Sequence, residues 1–198
     1  MTSDRPLDES ATVRSLKNGS LVLLASVAAI WAASLYGLAD KSFLYQMALV
    51  PRRVDGLAGV LTMPFVHQSM SHLVLNTVPL AVLGGLVVLR GARYFALVSL
   101  AILAAGGLLV WGFARPGLHV GASGLVFGYF GFLLVRGVYD RQLSSALVAL
   151  VVVFLYGGMF WGILPGGDGT SWESHLYGLL AGGVIARFWW RGKGGGKA

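Results

Sequence analysis

Apolar residues along this chain come in long unbroken runs, and polar residues gather in short clusters between them. An α-helix needs roughly 17 to 25 predominantly apolar residues to cross a bilayer core. Six stretches meet or approach that length: about 19–38, 71–89, 93–113, 121–138, 143–164 and 172–190. The pattern predicts an all-α polytopic membrane protein. Residues 1–18 are expected to form a cytoplasmic N-terminal segment, 19–190 the helical domain, and 191–198, "RGKGGGKA", a basic cytoplasmic tail. The first run is too long for a secretory signal, and no small-residue cleavage site followed by a soluble domain appears after it. The first long connection, about 39–70, mixes aromatic residues with charges and reads as a partly buried interfacial loop. There is no internal repeat and no low-complexity segment.

Composition supports the bilayer. Of 198 residues, 56% are hydrophobic and 12% charged, against roughly 25% charged in an average soluble domain. Too little polar surface remains to cover the chain in water, which excludes a soluble enzyme. The absence of cysteine removes disulfides, thiolate metal sites and a thiol nucleophile. The net charge of +7 invites a nucleic-acid reading, but the basic residues sit at the ends of apolar runs, where they orient a membrane protein instead. With the N-terminus inside, Arg5, Arg14, Lys17, Arg90, Arg93, Arg136, Arg141, Arg187, Arg191, Lys193 and Lys197 are cytoplasmic. Only Lys41, Arg52, Arg53 and Arg115 lie outside. That bias puts both termini in the cytoplasm and the start of the fourth span at the outer face.

Three polar sets interrupt the spans near their outer ends: "HQSMSHLVLN" with His67, His72 and Asn76, "GASG" with Ser123, and "SHLYGLLAGG" with His175. Ionisable groups at membrane depth are costly and point to function. Each has a plainer reading taken alone. Ser123 beside Gly124 and Gly128 could be a small-residue packing spot, and His175 a hydrogen-bonding cap. His72 and Asn76, four apart on one helical face, could be interhelical glue. Together they are the parts of acyl transfer: a nucleophile, a base and donors for an oxyanion. Ser123 opens its span, so its backbone N–H lies in a first helical turn, at the positive end of the helix dipole. Gly121 and Gly124 permit close approach of a neighbour or substrate. Gly178 and Gly182 form a smooth ridge below His175 that could meet the Gly124/Gly128 ridge.

In order and spacing, His67, His72 and Asn76, then Gly121-Ala122-Ser123-Gly124, then His175, Gly178 and Gly182 resemble the rhomboid intramembrane serine proteases of the bacterial six-helix type. The likeness runs from about residue 51 to about 188, including "PFVH" before the second span. It implies a six-transmembrane-helix bundle that cleaves the transmembrane segments of other membrane proteins. It implies Ser123 as nucleophile, His175 as general base, and His72, Asn76 and the Ser123 N–H as the oxyanion hole. It also implies the inner membrane of a bacterium, with the site near the outer face, and no cofactor, metal or nucleic acid. Two departures stand out. Many relatives carry Trp-Arg where this chain has Ala58-Gly59, and often a tyrosine where it has Phe127. Phe127 can still support the His175 ring by stacking. Of the acids near His175, Glu173 lies about 200° around the helix and Asp168 sits in "GGDGTS", so a Ser–His dyad is expected. Two other readings use the same residues. One is a catalytically silent rhomboid-like binder of membrane proteins, although such relatives lack the serine or histidine. The other is a channel or transporter lined by His67, His72, His119 and His175, although the inner halves of the spans are almost without polar groups.

Overall fold

The computed structural model describes residues 9–166 and 171–194, and every regular element among them is helical. In chain order these are α1 (Glu9–Ala39), α2 (Lys41–Met47), α3 (Gly59–Thr62), α4 (Met70–Val88), α5 (Ala92–Phe113), α6 (Ser123–Tyr139), α7 (Leu143–Tyr156) and α8 (Trp172–Gly194). Tight 3-10 turns at Met63–Phe65 and Gly157–Ile163 complete the set. Among the described residues, four helical stretches are long and apolar enough to cross a membrane: Val13–Ala39, Met70–Val88, Ala92–Phe113 and Leu143–Ile163. α6 is apolar but shorter. The chain is thus an all-α integral membrane protein.

Each apolar run falls on one helix, with instructive differences at the edges. α1 begins at Glu9, well before the apolar run at 19. Its added turns carry Arg14 and Lys17, which are good helix formers that a count of apolar residues cannot see. The fifth run is α-helical only to Tyr156, and the Gly157-Gly158 pair starts the tighter winding that carries it to Ile163.

α6 is the axis of the molecule. From Ser123 to Leu133 every residue is buried, as expected of a helix that is apolar all round. It packs most extensively on α8, and also on α7, α4 and α5. Tyr129, Phe130 and Phe132 are fully buried around it, and the Tyr129 hydroxyl meets Ser99 Oγ of α5 at 2.6 Å. Burying a side chain of this size contributes on the order of 1.5–3 kcal/mol. Apolar residues elsewhere face outward. Leu24 on α1 is 64% exposed and Phe154 on α7 is 86% exposed, which lipid rather than water can solvate.

The segment between α1 and α4 is tied down along its length. Asp40 caps α2 by accepting from the Ser42 N–H at 2.8 Å, the side-chain capping expected at a helix N-terminus. Leu49 exchanges both backbone hydrogen bonds with His119. The Trp111 indole N–H donates to the Arg53 carbonyl at 2.8 Å, and Arg52 Nη1 donates to the Ala114 carbonyl at 2.8 Å. Gly59 packs directly on the Leu49 backbone, where a Cβ would collide. The segment therefore forms a lid of small elements over one end of α5 and α6, with its own anchors around Ala58-Gly59.

Candidate active site

The site lies where the N-terminal ends of α4, α6 and α8 meet. α6 starts at Ser123 itself, after Gly121 with φ +106° and Ala122. That φ favours glycine, and a Cβ on Gly121 would come within 2.7 Å of the His72 ring. Glycine here turns the chain and seats His72 at once. The first-turn N–H groups of α6, beginning with Ser123, have no acceptor one turn earlier in the helix. The two preceding N–H groups are held: Gly121 N–H donates to the Met63 carbonyl at 2.9 Å, and Ala122 N–H donates to His67 Nε2 at 3.2 Å.

α8 approaches α6 through glycine. A Cβ on Gly178 would strike the Gly124 carbonyl, and one on Gly182 would strike the Gly128 carbonyl. Removing side chains at these two levels lets the backbones nearly touch, the small-residue packing used between membrane helices. His175, one turn before Gly178, is carried to the level of the serine. Its ring stacks on Phe127 with centroids 4.2 Å apart and planes 5° from parallel, and Phe127 lies one turn after Ser123. His175 Nδ1 is 2.8 Å from the Gly162 carbonyl. A carbonyl only accepts, so Nδ1 carries the hydrogen and Nε2 is the basic nitrogen. Ser123 and His175 are each 8% exposed, in a setting that excludes most water.

His72 and Asn76 stand one turn apart on α4. The Nε2 edge of His72 lies against Gly121, two residues before Ser123. Asn76 is buried and its amide donates to the His72 carbonyl at 2.9 Å. Gly124 faces the Ser174 backbone of α8, at contact distance for a Cβ. The structure therefore brings Ser123, His175, His72, Asn76, Gly121, Gly124, Phe127, Gly178 and Gly182 to one region. Glu173 does not join it: its carboxylate pairs with Arg115, whose guanidinium also lies 5.6 Å from the Trp172 ring centre. Asp168 lies outside the described residues.

Three further groups support the site, and of these only the backbone carbonyl carries no letter that announces it. The first is the Gly162 carbonyl on His175. The second is His67, fully buried, whose Nδ1–H donates to Ser34 Oγ of α1 at 2.8 Å while Nε2 accepts from Ala122. Ser34 in turn donates to the Phe65 carbonyl at 3.0 Å. This relay needs neutral histidine, and burial, aided by the neighbouring His72, pushes the His67 pKa down to about 3. The third is His119, which links Ser171 Oγ at 2.6 Å to the Arg115 carbonyl at 3.1 Å and so ties the start of α8 to the α5–α6 connection. Burial lowers its pKa as well. No group of three or more His, Asp or Glu side chains that could hold a metal ion occurs among the described residues.

The Rhomboid domain matches residues 55–192 of this chain. The chain belongs to the rhomboid family. Uncharacterized proteins of Mycobacterium bovis and Mycobacterium tuberculosis are 38% identical to this rhomboid over 177 residues, covering 85% of it and 74% of each relative. A RHOMBOID-like protein 4 of Arabidopsis thaliana is 27% identical over 136 residues, which is 64% of this rhomboid and 32% of the plant protein. The matched interval holds all three polar sets and the glycine contacts between α6 and α8.

Proposed function

We propose that this rhomboid is an intramembrane serine endopeptidase that hydrolyses peptide bonds in the transmembrane segments of other membrane proteins. In this reading the domain over 19–190 crosses the membrane six times, on α1, α4, α5, α6, α7 with its following turn, and α8. Both termini are cytoplasmic, and the site opens near the outer face of a bacterial inner membrane. One observation carries the reading: His175 lies flat on Phe127, which is one turn from Ser123, and its Nδ1 faces the Gly162 carbonyl, which makes Nε2 the basic nitrogen.

The chemistry follows from those groups. As Ser123 Oγ attacks the scissile carbonyl carbon, its proton passes to His175 Nε2, and the C=O electron pair moves onto oxygen. The Ser123 N–H, the His72 ring N–H and the Asn76 amide donate to that oxyanion, where charge exists only in the transition state and the intermediate. His175 then gives its proton to the leaving nitrogen as the C–N bond breaks. Water then attacks the acyl-enzyme ester as Nε2 takes its proton, and His175 returns that proton to Ser123 Oγ as the ester C–O bond breaks. The Gly162 carbonyl, where a triad would place a carboxylate, holds the imidazole in the productive tautomer. A substrate must offer an unwound stretch, because an intact helix hides its backbone in internal hydrogen bonds. Substrates should therefore carry Gly, Pro or polar residues near the outer end of their span.

The test is reconstitution of the full chain with such a substrate, followed by cleavage and by labelling with a fluorophosphonate. Wild type should cut and label, and Ser123→Ala should do neither while remaining folded. Labelling that persists in Ser123→Ala moves the nucleophile elsewhere. A folded wild type that neither cuts nor labels favours a silent binder of membrane proteins.

A further inference from the structure

At the far end of α6 the chain builds a second polar cluster that the proposed reaction does not use. α6 has 17 residues, so this end lies about 25 Å from Ser123 at the helical rise per residue. Asp140, just past α6, accepts on Oδ2 from Arg90 Nη2 at 2.6 Å, Arg136 Nη2 at 3.1 Å and Ser145 Oγ at 2.6 Å. Burial pushes the Asp140 carboxyl up, but Ser145 and the two guanidiniums outweigh it and hold the pKa below the usual range. The carboxylate is thus charged, and two guanidiniums against one carboxylate leave a positive charge unmatched within the cluster. That charge is partly desolvated, with Arg90 28% and Arg136 14% exposed. Beside it opens a cavity of about 180 Å³ between α4, α6 and α7. Leu86, Leu89, Leu133 and Val148 supply its apolar lining, and Arg90 and Arg136 its charge. The outer face of α7 next to it remains apolar, with Leu143 76% and Leu147 52% exposed.

We propose that this cavity binds an anionic phospholipid, the phosphate against Arg90 and Arg136 and the start of an acyl chain against the leucine and valine lining. A half-buried excess cation beside an apolar wall matches a ligand that is anionic at one end and apolar at the other. Guanidinium suits phosphate oxygens in shape as well as charge, and basic pockets between membrane helices bind such headgroups. A free phosphate ion has nothing to place against the leucines. The apolar face of α7 continues the path that the rest of the chain would follow into the bilayer.

Native mass spectrometry of the full chain in a zwitterionic detergent tests this without reference to proteolysis. Phosphatidylglycerol and phosphatidylcholine of equal chain length are offered at equal concentration. Wild type should retain phosphatidylglycerol about fivefold better, the preference that one unmatched surface cation confers. Arg90→Gln should lose that preference. Ser144 also lines the cavity and is exposed, so Ser144→Glu leaves the arginine cluster in place. It should lose the preference with its melting temperature unchanged, whereas Ser144→Gln should keep it. Excess glycerol phosphate, a headgroup without chains, should not displace the lipid. Equal retention of both lipids by wild type overturns the proposal, as does undiminished preference in Arg90→Gln and Ser144→Glu together. Displacement by glycerol phosphate overturns it too, since the site would then serve a free anion.

Discussion

At the scale of single residues the site depends on neutral, hydrogen-bonded histidines. His67 is the clearest case, because Nε2 can accept from Ala122 only while it lacks a proton. Its folded pKa near 3 lies below the ordinary value near 6.5, so between those values the unfolded chain binds a proton that the folded chain does not. Stability is then full above about pH 6.5 and falls as pH drops toward 3, by up to about 1.4 kcal/mol per pH unit. Melting temperature measured in detergent from pH 7 to 5 should decline in wild type, and more gently in His67→Gln, whose amide can still accept from Ala122. Identical slopes would remove His67 from the account. His72 and Asn76 call for a different measurement. As interhelical glue, each would contribute about 0.6 kcal/mol, and its loss would lower the melting temperature while sparing the turnover of folded protein. As oxyanion donors, their loss should lower kcat with KM nearly unchanged, by less than the roughly 10²–10³ seen for a single donor in a soluble protease, since the other donors remain. The pair His72→Ala/Asn76→Ala should be folded and close to inactive. The side-chain letters of this site were readable in the chain because ionisable residues inside apolar runs are conspicuous. Its backbone partners were not, since the Gly162 carbonyl and the Ala122 N–H look like any others in a sequence.

At the scale of helices, hydropathy is a local property, and so the apolar runs located the helices well. The run at 71–89 became Met70–Val88 and the run at 93–113 became Ala92–Phe113. The short helices α2 and α3 escaped notice because four to seven residues show no clear period, and tertiary contacts rather than propensity hold them. The glycines of α6 and α8 were visible as two ridges that could meet, and three dimensions add the register, Gly178 on Gly124 and Gly182 on Gly128. That pairing makes a sharp prediction. Alanine is the better helix former by about 1 kcal/mol, so a glycine with open space around it should tolerate or welcome the change. Gly85 on α4 has nothing within 4 Å of a Cβ, and Gly85→Ala should leave melting temperature and cleavage at or slightly above wild type. Gly178→Ala and Gly182→Ala must instead push α8 off the α6 backbone, with overpacking of about 1–3 kcal/mol. The same displacement carries His175 away from Ser123, so cleavage should fall further than stability alone accounts for. Wild-type activity in Gly178→Ala would mean that the close approach of α6 and α8 does not govern the proposed dyad.

At the scale of the whole molecule, the two ends of the bundle differ in kind. The end that holds Ser123 sets its histidines, serine and asparagine beneath the segment between α1 and α4, with the Arg115–Glu173 pair beside them. The opposite end gathers Arg90, Arg136 and Asp140 into one charged cluster. A bilayer sorts such a molecule by its basic residues, which stay on the cytoplasmic side in short connections. The proposed orientation therefore sets Ser123 toward the outer face and the arginine cluster toward the cytoplasm, so substrates are met from outside. The chain contains no cysteine, which makes single-cysteine variants clean reporters of sidedness. Val54, 83% exposed in the connection between α2 and α3, shares the end that holds Ser123. Gln142, exposed just before α7, shares the end that holds Asp140. In bacterial cells stripped of their outer layers but with a sealed inner membrane, a membrane-impermeant maleimide should label Val54→Cys at once. Gln142→Cys should react only after the membrane is permeabilised. The reverse pattern would turn the serine toward the cytoplasm, and substrates would then be cut from the inner side. Labelling of both positions without permeabilisation would mean that the chain inserts in two orientations, and the positive-inside bias would have lost its hold on this fold.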